Sequence, residues 1–466
     1  MKKLFAMLLC ACMILSLAAC GESEKPPVSS DTSTAAPATV APTTEEKVTE
    51  KEITTTIWTD SQNLEAGIIA AVEGFKSERP TYTLNVEAFP GSERPQKLAL
   101  AKESGTLPSL FLTGFFTSAD EIHQGTIKPV TDIINEAYAD DMSETALDMV
   151  TVGNDYYMVP VFTSSQGFLY NADMFKAAGL EAYVTEDSNA IACWTLEDLD
   201  TVILPKLKSY LSGSEKYVMT MYSANEQNDS YLHNLLRLYD GYVFENSYCA
   251  AAEDEKVVKA LEKVKEWIDS GYTNSDVTTR LWTDCNADFR NQMCAISAGQ
   301  FQSYLNHLAA FKKGDAEAFD IRIAAIPVQR ADGTDTGAMH QYTYGFAMMN
   351  VDDDQTLVAA EFLKWLAENS VEFMPDMING VPTCGSVVEK LKAENPLYTS
   401  YQDAEKYLFD FTDAAPGWVA TRATFYPEIQ SCFSGQKTAL QALTDYMKNA
   451  NEIIQEYTDN SLVLKK

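Results

Sequence analysis

The chain has 466 residues, a formal net charge of −32, 46% apolar residues and 22% charged residues. That length suits two or three domains with their own hydrophobic cores, and the composition is globular. The excess acid repels nucleic-acid phosphates and anionic lipid headgroups, which argues against a nucleic-acid partner and against adsorption to a membrane surface.

In chain order, Lys2 and Lys3 precede the apolar stretch Leu4 to Leu17, the pattern of a secretory signal over residues 1–19. Leu17-Ala18-Ala19-Cys20 closes it and resembles the lipobox of bacterial lipoproteins, which implies that Cys20 is acylated and becomes the first mature residue. The apolar run is too short to span ~30 Å of hydrocarbon comfortably, so acyl chains are the expected membrane attachment. Residues 20–50 are rich in Ser, Thr, Pro and Ala and read as the acylated cysteine and a disordered tether, with a reach of about 30 Å.

From Ile53 the pattern alternates between strand and helix. Ile53 to Trp58, Tyr82 to Phe89 and Leu107 to Thr113 read as strands, with helices over 64–75 and 95–103 between them. This order predicts a parallel sheet covered by helices. The rhythm restarts with strands at 167–170, 293–298, 321–326 and 344–349. Helices are predicted over 195–210, 253–270, 355–369 and 438–457. The expected fold class is α/β, in two lobes. The body has six cysteines, of which Cys285 and Cys294 are closest in sequence, and their connectivity is not legible. The four histidines are scattered and no spacing suits zinc, so neither metal nor cofactor is expected.

Several short pieces, taken in order, carry a family resemblance. They include Ile57-Trp58-Thr59, Ser104-Gly105-Thr106-Leu107-Pro108, Tyr157-Met158-Val159-Pro160, Leu169-Tyr170-Asn171-Ala172-Asp173-Met174-Phe175 and Gly380-Val381-Pro382-Thr383. Together they resemble the carbohydrate branch of the bacterial extracellular solute-binding proteins of ABC importers, in lipoprotein form. Ser109 and Asp155 depart from that pattern. The resemblance implies a two-lobed, periplasmic-binding-protein-like clamp with three inter-lobe crossings, near 162–167, 328–343 and 374–381. It also implies lobes of 51–163 plus 340–374 and of 164–339 plus 375–466. The implied function is capture of a mono- or oligosaccharide by hinge closure. The implied partners are ABC importer permeases, and the implied place is the outer face of the cytoplasmic membrane of a bacterium of Gram-positive type. A non-sugar solute such as a peptide or polyamine, a glycan-active surface enzyme, and a sensing or scaffolding lipoprotein stay open. No G-x-S-x-G, phosphate-loop, G-x-G-x-x-G or H-E-x-x-H motif supports an enzyme.

A sugar site needs flat apolar faces and fixed polar groups, and loops beyond strand ends are the favoured places for them. Trp58 and Asp60 after the first strand, and Phe115 with Phe116 after the third, meet that test. Trp58 packing on the first helix and Asp60 capping it is the alternative. Gln300 and Phe301 follow the strand ending at 298. Tyr342 and Tyr344 sit in the second crossing region, facing either cleft or core. Trp418 and Arg422 stand one helical turn apart, suited to a stacked sugar or, equally, to a core Trp and an ion pair.

Overall fold

The computed structural model describes residues 51–398, 400 and 405–463. The signal, Cys20 and the tether lie outside the described residues, and the folded body is the unit Glu50–Lys466.

The first lobe begins as expected. Strand β1 (Ile53–Thr59) leads through helix α1 (Glu65–Glu78) to β2 (Tyr82–Ala88), and through α2 (Arg94–Ser104) to β3 (Leu110–Gly114). Both neighbours pair with β1 in parallel. Gly105, at φ 68°, closes α2 in the left-handed region that a side chain would disfavour. A short helix, α3 (Ala119–His123), follows β3.

The chain then runs into β4 (Val159–Asn171), which is 13 residues long. Only Gly167 to Tyr170 is expected as strand here, because the stretch Thr163-Ser164-Ser165-Gln166 carries no apolar alternation. It is extended because it is paired on the backbone to β8 (Asp335–Met349). Its later half pairs with β6 (Cys294–Gln300) and β7 (Ile321–Ala324). β8 likewise extends well before the predicted start at Tyr344. It pairs with β3 at one end and with the segment Ile326–Gln329 at the other. The segments expected as the first two crossings thus lie within or run into long antiparallel strands. One sheet runs in the order β2-β1-β3-β8-β4-β6-β5, where β5 is Tyr217–Met219. Gly345 sits at a register shift, where a Cβ would lie 2.2 Å from the Val159 carbonyl oxygen.

The second lobe adds α4 (Asn228–Leu235), α5 (Trp282–Arg290) and α6 (Phe301–Lys313). The first lobe regains α7 (Asp353–Glu368), and the chain ends with α8 (Trp418–Phe433) and α9 (Ala439–Asn460). The predicted helix over 195–210 is present with a π-helical stretch at Leu199–Ile203, shortly before Pro205. A proline clashes with the carbonyl four residues back, and the wider turn accommodates it.

One apolar core joins Ile57, Ile68, Phe75, Leu110, Phe346 and Phe362 of the first lobe. Another joins Phe168, Trp194, Leu207, Tyr231, Trp267 and Tyr446 of the second. Cys384 and Val387 pack into the first of these. The helix Gly385–Leu391, after the expected crossing at 374–381, thus packs partly on that core. All six described cysteines are free. Among the described residues no helix is long and apolar enough to cross a membrane.

Candidate functional site

Alternation along β4 and β8 creates two faces, because successive side chains of a strand point opposite ways. Gln166 and Tyr342 turn to one face, where they line a cavity of about 300 Å³ between the lobes. Phe116 supplies the first lobe's wall. Tyr344 shares the strand floor, and Tyr222, Glu226, Gln227, Ser230, Trp282, Gln300 and Arg422 form the second lobe's wall. Thr163, Ser165 and Gln341 turn to the other face, beside a separate cavity of about 270 Å³.

The cavity's aromatic rings brace one another. Phe116 lies 4.4 Å from Tyr342 between centroids, and Tyr344 stacks on Phe162 at 4.9 Å. Tyr222 packs between Tyr231 and Trp282. Gln166 is fully buried, and its amide forms no well-made hydrogen bond among the described residues, with the Tyr222 hydroxyl the group that reaches it. Gln300 is directly opposite it on β6 and therefore shares its face. Arg422 donates from Nε and Nη2 to the two carboxylate oxygens of Asp229 at 2.7 and 3.1 Å. Burial works against the Arg422 charge, but the Asp229 carboxylate outweighs it and holds the guanidinium above its ordinary pKa.

Of the residues singled out from sequence, Gln300, Tyr342, Tyr344 and Arg422 come together on this cavity. Phe116 lines it while Phe115 turns into the first-lobe core, since both lie in the 3-10 turn Phe115–Thr117, where successive side chains point about a third of a turn apart. Trp58 is also in that core, edge-on to Phe89 and Phe111 with the Lys97 ammonium over its ring. Asp60 accepts the Thr113 hydroxyl at 2.6 Å and lies 3.6 Å from Arg94. Burial raises its pKa, against the lowering effects of Thr113 and Arg94. It does not line the cavity, although its charge is felt by Tyr344. Phe301 is buried at the start of α6. Trp418 does begin a helix that carries Arg422, but its ring is fully buried against Phe244 and Phe411.

Gln166, Tyr222, Ser230 and Trp282 escape a reading of the sequence alone. Tyr222 follows strand β5 closely, so the strand-end test applied to the first lobe finds it once β5 is recognised. Gln166 gives no such signal, because its face depends on the pairing of β4.

Known proteins fit this geometry. Residues 70–389 match the family described as bacterial extracellular solute-binding protein. The chain belongs to that family. Like other members, this solute-binding protein has an α/β body in two lobes. It superposes on the sugar-binding protein MalE of Xanthomonas citri with a TM-score of 0.70 at 15% identity, covering 87% of this chain and 98% of that one. The cyclic α-maltosyl-1,6-maltose binding protein of Arthrobacter globiformis gives 0.69 at 18% identity, covering 87% and 99%. At these identities the likeness is one of fold. A curated binding protein of Brucella abortus (strain 2308) is 25% identical over 218 residues, 47% of this chain and 50% of its own length. The chain thus spans about half the length of the curated relatives it matches.

Proposed function

We propose that this solute-binding protein captures a mono- or oligosaccharide in the cavity between its lobes and delivers it to an ABC importer without chemically changing it. The observation that carries the reading is the combination of Phe116, Tyr342, Tyr344 and Trp282 with the amides of Gln166 and Gln300 in one cavity. Rings match the C–H faces of a pyranose and amides match its hydroxyl pairs. The sugar ligands named for proteins of the same fold, maltose among them, support this choice. Tyr342, Tyr344, Gln300 and Arg422 are the ligand-contacting residues in this reading.

Capture proceeds by hinge movement about β4 and β8, with the ligand favouring closure through contacts it makes to both lobes only when they meet over it. A monomer tethered through Cys20 to the outer face of the cytoplasmic membrane would present the closed form to permease subunits. Lys2-Lys3, the apolar stretch and Leu17-Ala18-Ala19-Cys20 support that anchoring.

The test is thermal unfolding of the purified protein with a panel of mono- and oligosaccharides. A ligand at 100 times its Kd adds about 2.7 kcal/mol to stability. A rise in Tm with one related group of sugars, and no product formed, supports the reading. A flat response to every sugar, with a rise for a peptide or polyamine, replaces the ligand class. Mass spectrometry of the membrane fraction checks for acyl chains on Cys20.

A further inference from the structure

Among the described residues, Arg422 is the one cationic side chain on the cavity wall. In a binding site a guanidinium is the usual partner for a carboxylate or phosphate. Here its Nε and Nη2 edge is already engaged within the protein, by the two-point contact with Asp229. Asp229 is 1% exposed, and one of its oxygens also accepts the Ser230 backbone N–H at 2.7 Å. Arg422 Nη2 further reaches the Glu226 carbonyl oxygen at 3.4 Å. The Glu226 side chain adds a second carboxylate to the neighbourhood, so acid exceeds base around the cavity.

An anionic ligand has two routes, and both are unfavourable. It can share Arg422 and lie against two carboxylates, or displace Asp229 and leave a buried charge without a partner. Breaking a buried pair from one side is strongly destabilising. A neutral ligand avoids both routes and can bond to Gln166, Ser230 and the Tyr222 hydroxyl.

Resting on the sugar reading above, we infer that Asp229 is a charge-selectivity residue. Acting through Arg422, it makes the cleft a receptor for uncharged, hydroxyl-bearing solutes and closes it to uronates, sugar phosphates and acidic amino acids. Asp229 is a positioning residue in this role, since it does not line the cavity itself.

The experiment is calorimetric titration of the full protein with glucose, galactose, xylose and maltose, beside glucuronate, galacturonate, glucose 6-phosphate and glutamate. The wild type should bind at least one neutral sugar, and bind the acidic sugars at least 100-fold more weakly or not at all. The neutral sugar's affinity should change less than 3-fold between 50 and 500 mM salt. In Asp229→Asn, of similar shape but uncharged, Arg422 is released and affinity for a uronate should rise at least 10-fold. Wild-type binding of a uronate, phosphate or glutamate as tightly as a neutral sugar overturns the inference and leaves the cavity as a ligand site. So does an unchanged neutral-to-acid ratio in a folded Asp229→Asn. If that variant does not fold, the wild-type ratio and the salt series still decide. Failure of every sugar, neutral and acidic, sinks the sugar reading and this inference with it.

Discussion

Asn234 and His340 are bound to each other twice in the buried seam between the lobes. The Asn234 side-chain oxygen accepts the His340 backbone N–H at 2.7 Å, and its Nδ2 lies 2.6 Å from His340 Nδ1. The same amide donates to the Gln166 carbonyl oxygen at 3.1 Å. One side chain on α4 thus fastens both strands that pass between the lobes. Burial pushes the His340 pKa well down, which agrees with a neutral ring accepting through Nδ1.

Asn234→Ala should therefore cost stability, because it leaves a buried N–H, a ring nitrogen and a carbonyl short of partners. Each orphan costs about 1–3 kcal/mol before relaxation, and a loss of about 2–4 kcal/mol is expected in denaturant unfolding. A loss under about 1 kcal/mol would show that the seam repairs itself with water.

Gln166 leads to a prediction of opposite sign. Its buried amide forms no well-made hydrogen bond among the described residues and has the Tyr222 hydroxyl within reach, so Gln166→Leu should hold or raise the melting temperature, by up to about 1–3 kcal/mol in stability. The same change should weaken ligand binding at least 10-fold. A variant that is less stable and binds normally would make Gln166 a structural residue.

Tyr344 separates stacking from hydrogen bonding. Its ring lies within 5° of parallel to Phe162. Tyr344→Phe should keep that stack, with stability within about 1 kcal/mol, whereas Tyr344→Ala should lose about 2–4 kcal/mol as it opens a void on the cavity floor. Affinity measured on both variants then reports whether the hydroxyl touches ligand.

Asp120 gives a pH test. It accepts the Gly417 N–H at 2.8 Å, and burial first, then the charge of Glu121, raises its pKa to about 6 against the opposing effects of Gly417, Arg94 and Lys102. A carboxyl with a raised folded pKa binds more protons folded than unfolded between about pH 4 and pH 6, so its contribution to stability falls as pH rises through that window. Asp120→Asn imitates the protonated form. The variant's advantage over wild type should grow from pH 4 to pH 6.5 and then level off. A constant difference across the range would mean that Asp120 titrates normally.

Much of the architecture was legible from local pattern. The β-α-β-α-β opening, the helix over 355–369 and the long final helix follow from periodicity, capping residues and glycine stops, all set within a few residues of chain. The site was legible only in part. Tyr342, Tyr344, Gln300 and Arg422 stood out by type and by position near strand or helix starts. Trp58 and Trp418 had the same credentials, yet both rings are buried in lobe cores.

The amino-acid sequence by itself determined the order of the elements and the family, because apolar period and turn chemistry are local properties. Only the tertiary structure decided that Gln166 faces the cavity and its neighbour Ser165 the reverse side, since a strand's face depends on what it pairs with. It also decided that Arg422 arrives with its charge compensated. Asp229 lies 193 positions earlier in the chain, and no local pattern records a partner at that distance.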